Sequence, residues 1–90
     1  IDNAATFYLA GHETTSNALA WTLYLLSEQP ELQEEVAREA EGVLARNGWD
    51  LGPAAAALPK LHAVLQESLR LYPPAPRFDR QAVAADTLPN

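Results

Sequence analysis

The sequence predicts a mainly α-helical chain of three helices, about residues 1–28, 30–46 and 59–72, followed by a short C-terminal β segment. Three observations carry this prediction. Apolar residues recur at helical spacing along two of the stretches and crowd all sides of the first. Prolines stand where helices begin or end, at Pro30, Pro59 and Pro73-Pro74. After the last pair, residues 77–84 have the makings of a brief strand. With 90 residues, 48% hydrophobic and 20% charged, the composition is that of a globular protein and not of a disordered segment.

The first helix has Phe7, Ala10, Trp21 and Leu25 on one side and Leu9, Leu19 and Leu23 on the other. A helix that is apolar all round is expected to be buried in something larger than itself. Pro30 ends it and suits the first turn of the next. The second helix is amphipathic: Leu32, Val36, Ala40, Val43 and Leu44 form its buried stripe. Glu31, Glu34, Glu35, Arg38, Glu39 and Glu41 are expected to face water, with Glu34 and Arg38 a weak i,i+4 pair. Asn47-Gly48 is a stop signal. The connector that follows has four alanines suited to a short helical turn. The third helix starts near Pro59, and its expected core face is Leu61, Val64, Leu65, Leu69 and Tyr72. Ile1-Asp2-Asn3 offers no cap ahead of an apparent helix interior, and the other end stops in a turn, so the chain is expected to be an internal piece of a larger domain.

A net charge of −6 argues against nucleic acid as a partner, because phosphate contacts need clustered Lys and Arg. Most of the negative charge lies between Glu28 and Glu41 and fits a solvated helix face. There is no cysteine, hence no disulfide and no thiolate metal site in these residues. No signal peptide or membrane segment is visible in this stretch, and the expected location is cytoplasmic.

The chemistry-bearing motif is Ala10-Gly11-His12-Glu13-Thr14-Thr15. His-Glu on a helix is half of a zinc protease motif, but Ser16 stands where the second His belongs, so no metal site is expected in this chain. Phe7, Ala10, Gly11, Thr14 and Ala18 share one side of the helix, and its centre is small. Gly11 costs roughly 1 kcal/mol against Ala in a helix interior. Thr14 can bond back to the Ala10 carbonyl, which tends to bend a helix. Close packing of another helix is one reading of that face. A flat ligand lying on the notch is the other, favoured by Glu13, since an acid on an apolar helix needs a partner or a task. Glu67 and Arg70, three apart on the third helix, read from periodicity alone as a solvated pair.

Together these pieces resemble one family, the haem-thiolate monooxygenases called cytochrome P-450. The motif at 10–15, the helix pair behind it, and Glu67-Ser68-Leu69-Arg70 with Leu71-Tyr72-Pro73-Pro74 about fifty residues later carry the resemblance. It implies that the 90 residues are part of that family's fold, from the distal oxygen-binding helix to the strand after the Glu-x-x-Arg helix. Ala10 and Gly11 would leave room for bound dioxygen beside haem at a locally distorted turn. Thr14 would hydrogen-bond that oxygen or its water, and Glu13 would relay protons, making these two the catalytic pair. Glu67 and Arg70 would form a buried structural ion pair, against the periodicity. Ala75, Pro76, Arg77 and Phe78 would border the substrate pocket, and Arg80 would pair with a haem propionate. The family's cysteine ligand to iron is expected beyond Asn90, so the chain by itself is expected to be inactive. Dioxygen, a small organic substrate and a reductase or ferredoxin are the implied partners. The rivals are a non-catalytic helical relic or interaction fragment, whose acidic second helix binds a partner, and a self-contained helical binding domain.

Overall fold

A computed structural model describes residues 2–50, 52, 55–87 and 89. Three helices form: α1 (Asp2–Ser27), α2 (Pro30–Asn47) and α3 (Pro59–Leu71), with a 3₁₀ turn over Ala55–Ala57 before the last. The expected boundaries hold to within a residue or so; residue 1 of the expected first helix lies outside the described residues. Pro30 and Pro59 each open a helix, where a missing N–H costs nothing. Gly48 closes α2 with φ +60° and ψ −143°, and its N–H bonds to the Leu44 carbonyl at 2.8 Å. That φ favours a residue without Cβ.

The arrangement is open. The radius of gyration is 18.2 Å, against about 12 Å for a compact globule of this length. The 26 residues of α1 form the long arm, roughly 39 Å at 1.5 Å per residue. Only its C-terminal third is docked: Thr22 and Leu26 are buried and Ala18 and Leu25 half-buried. The predicted stripe of α2 faces inward, with Val36 and Val43 buried and Leu32, Ala40 and Leu44 half-buried. Glu34 and Arg38 pair at 3.2 Å as expected.

The seam of α3 differs from expectation. Leu61 and Val64 are half-buried, but Leu65, Leu69 and Tyr72 stay largely exposed, and the buried residue is Ser68. Its small side chain lets α3 approach α1, where Thr22 Oγ1 lies 2.9 Å from Ser68 Oγ and 2.7 Å from the Ala18 carbonyl. A hydroxyl has one proton, so Thr22 donates in one of these bonds and accepts in the other. Beside this point Trp21 stacks on Tyr72, with centroids 4.0 Å apart and planes 5° apart.

Two further expectations are corrected. No strand forms over residues 77–84. A strand needs a neighbour for its N–H and C=O groups, and nothing in the described residues supplies a second one. Glu39 does not face open water: it is half-buried and accepts the backbone N–H groups of Lys60 and Leu61, each at 3.0 Å. One turn away on α2, Glu35 accepts from Lys60 Nζ at 2.6 Å.

Candidate functional site

An open cleft lies beside the small-residue face of α1 and shares Ala10 and Thr14 with it, while Phe7, Gly11 and Ala18 do not line it. Thr6, Leu9, Ala10, Glu13, Thr14 and Asn17 line one side and Pro74, just past α3, lines the other, around a volume of about 540 Å³. The periodicity of α1 puts its lining residues on one face, and the turn at Pro73-Pro74 brings the end of α3 back against them. A Cβ placed on Gly11 meets nothing within 4 Å. No second helix therefore packs on the small-residue face among the described residues.

Thr14 Oγ1 donates to the Ala10 carbonyl at 2.5 Å, the expected back-bond. It is one of a series on α1: Thr6 donates to the Asp2 carbonyl at 2.8 Å and Ser16 to the His12 carbonyl at 2.6 Å. Despite these bonds and Gly11, α1 is an unbroken α-helix, so the distorted turn expected at Ala10-Gly11 is not seen. With every N–H to carbonyl bond of the turn in place, a side-chain hydroxyl adds a third centre without displacing one. Glu13 is exposed beside Thr14. His12 stacks on Tyr8 one turn earlier, with ring centroids 5.4 Å apart.

Glu67 and Arg70 lie elsewhere. Arg70 Nε donates to Glu67 Oε2 at 2.7 Å, and Nη2 donates to Oε1, a two-pronged pair. Its guanidinium holds the Glu67 carboxyl below its usual range, and the carboxylate raises the Arg70 value in turn. The pair forms, but it is not buried: the side chains are 66% and 55% exposed. The outer face of α3 carries no covering element among the described residues, so within this chain the pair is solvated, as periodicity alone reads it. A separate apolar hollow of about 330 Å³ at the junction of the three helices includes Glu67, but none of the α1 cleft residues.

Of the residues after α3, Pro74 reaches the cleft; Ala75, Pro76, Arg77 and Phe78 are exposed and do not line it. Arg77 pairs with Asp79 at 2.9 Å. The Arg80 guanidinium sits 5.3 Å from the centre of the Phe78 ring. No group of three His, Cys, Asp or Glu side chains among the described residues could hold a metal ion.

The side chains that the sequence reading did not single out are Asn17 and Thr6, which share the α1 cleft, and the Thr22–Ser68 pair that joins α1 to α3. Position supplied a signal for two of them: Asn17 is four residues from Glu13 and Ser68 is four from Val64.

A family model for cytochrome P-450 matches residues 2–90. The chain belongs to the cytochrome P-450 family. It is 45% identical over 82 residues to a cytokinin hydroxylase of Arabidopsis thaliana, covering 91% of this chain and 16% of that protein. It is 43% identical over 79 residues to a mitochondrial sterol 26-hydroxylase of Rattus norvegicus, covering 88% of this chain and 15% of the other. A self-sufficient cytochrome P-450 monooxygenase of Aspergillus niger is 39% identical over 88 residues, 98% of this chain and 8% of that one. The chain thus spans about a sixth or less of the length of these relatives. No solved structure matches it. Cytochrome P-450 enzymes are monooxygenases, and the names of these relatives agree. No described helix is long and apolar enough to cross a membrane.

Proposed function

We propose that this chain is the dioxygen-activating portion of a haem-thiolate monooxygenase, which inserts one oxygen atom from dioxygen into a small organic substrate. The observation that carries the reading is the shared cleft of Ala10, Glu13 and Thr14 in a chain of this family. The cleft sets the Ala10 methyl, the Thr14 hydroxyl and the Glu13 carboxylate side by side. Gly11, next to the cleft and not in it, leaves open space on the adjoining side of α1 for one face of a flat group. The residues present include no thiolate, because the chain has no cysteine. Haem, whose thiolate ligand would have to come from outside these residues, would supply the redox chemistry with electrons from a reductase or ferredoxin.

The roles proposed for the chain's own residues are those that the family resemblance implies. Ala10 in the cleft and Gly11 beside it leave room for a small diatomic molecule. Thr14 holds a proton on Oγ1, now shared with the Ala10 carbonyl at 2.5 Å. Rotation of that hydroxyl turns the proton toward the cleft. Glu13, adjacent and exposed, passes protons inward from solvent. One oxygen atom leaves as water and the other goes to substrate, so two protons are consumed with two electrons, and the Glu13–Thr14 pair delivers the protons. Arg80 offers a cation to a haem propionate. Ala75, Pro76, Arg77 and Phe78 continue from Pro74 toward the substrate side. Glu67 and Arg70 form a structural pair that further chain covers in the whole domain.

The test uses the full-length enzyme containing this segment. Thr14→Ala is expected to keep dioxygen consumption while sharply lowering product formed per dioxygen; unchanged coupling overturns the role of Thr14. The 90-residue chain itself, given haem, reductant and carbon monoxide, is expected to show no thiolate-type Soret band. Such a band would show that the missing cysteine is not needed.

A further inference from the structure

We infer that Glu39 is a positioning residue: its carboxylate, reaching across from α2, holds the start of α3 and sets where Glu67, Ser68 and Arg70 stand. The inference rests on the proposed function only for the importance of those three residues.

The argument begins with the donors that open α3. A helix leaves its first N–H groups without partners inside the helix. Pro59 has none to leave, and the His62 N–H already reaches the Leu58 carbonyl at 2.9 Å. Lys60 and Leu61 are what remains. The usual remedy is a polar side chain just ahead of the helix, but that position holds Leu58, which makes no side-chain cap. Glu39 takes both orphans instead, Lys60 N–H on Oε1 and Leu61 N–H on Oε2, each at 3.0 Å. A carboxylate with two oxygens matches two adjacent donors, and its charge sits at the positive end of the helix dipole.

The start of α2 shows that this is not a general habit of the chain. Gln29 there also lacks a side-chain cap, and no carboxylate from another helix comes to the first turn of α2 among the described residues. The α3 arrangement is reinforced one turn away, where Glu35 holds Lys60 Nζ at 2.6 Å. Glu35 and Glu39 share a face of α2 at i,i+4 spacing. One grips the side chain of Lys60 and the other its backbone. At its far end α3 is held to α1 by the Thr22–Ser68 contact at 2.9 Å. A rod fixed to one neighbour at its start and to another near its end has little freedom to slide or turn. Glu67 and Arg70 lie on either side of the second fixing point.

The test separates placing α3 from merely forming it. The chain has no cysteine, so spin labels go only where Glu41→Cys and Gln66→Cys put them, on exposed positions of α2 and α3. Distances are measured between them with the labelled chain diluted into unlabelled chain. The parent is expected to give a narrow distribution, and Glu39→Ala one about twice as wide or more. Adding Leu58→Asp to Glu39→Ala supplies a local cap to the same N–H groups. It is expected to restore helix content by circular dichroism while the distance stays broad. The inference is overturned if the parent distribution is already broad, if Glu39→Ala leaves its width unchanged, or if the local cap narrows it again. Loss of α3 helicity in both variants also overturns it, since Glu39 would then form the helix and not place it. No haem enters this measurement, so its failure leaves the proposed function standing, and an uncoupling test that fails leaves this inference standing.

Discussion

Thr14 and Thr22 stand eight residues apart on the same helix, and each bonds back to the carbonyl four residues earlier, at 2.5 and 2.7 Å. Their surroundings are opposite. Thr22 is 3% exposed and meets Ser68, whereas Thr14 is exposed on an open cleft with no second protein partner recorded for its hydroxyl. Local chemistry is thus the same, and tertiary context alone makes one residue a lock and leaves the other available. The same division runs along all of α1: its end packs, while its start presents Phe7 at 76% exposure and Leu9 at 59%.

The largest expected effect tests the free end: in the full-length enzyme, Thr14→Ala lowers product per dioxygen by about tenfold or more, in line with a lost proton-transfer group. Breaking the locked end comes next. Thr22→Val strands the buried Ser68 hydroxyl and costs about 1–3 kcal/mol in urea unfolding, whereas Thr14→Val changes stability by no more than about 0.5 kcal/mol. Equal losses would erase the contrast. Combining Thr22→Val with Ser68→Ala should recover part of the loss, because both polar groups are then gone. A smaller gain is expected from Gly11→Ala, up to about 1 kcal/mol of stabilisation, since its new Cβ has open space. Destabilisation there would mean that the notch is already filled. The smallest effect is acid sensitivity. Bonding to Lys60 and to Arg70 holds the Glu35 and Glu67 carboxyls below their ordinary values. A depressed carboxyl contributes stability above its unfolded-state value and loses it as pH falls through the folded one. Acid melts should show a slight loss that added salt diminishes, because both pairs are exposed.

The helices were legible because period and punctuation agree: Pro30 and Pro59 mark starts, and the stripe from Leu32 to Leu44 has only one helical solution. The cleft was legible only in part: the face read from Phe7, Ala10, Gly11, Thr14 and Ala18 shares Ala10 and Thr14 with it. Pro74 comes against a neighbouring side of α1 that no wheel of one helix can single out. Glu39 was not, because a helical wheel treats one helix at a time and cannot show a carboxylate meeting the N–H groups of another. Ser68 was passed over for its polarity, although its spacing from Leu61 and Val64 puts it on the buried seam. The strand at 77–84 failed for a different reason: a short stretch after a helix stop says nothing of which neighbour would accept its backbone bonds.

Pro74 gives the cleft a direction. Proline has no backbone N–H to offer, and it is the one described lining residue that does not come from α1. Every side-chain hydroxyl, carboxylate and amide that lines the space therefore belongs to the opposite wall, from Thr6, Glu13, Thr14 and Asn17. Leu9 and Ala10 stand among these polar groups on the same helix. The cleft is thus one-sided in its polarity: a single helix supplies all of its side-chain hydrogen-bonding groups.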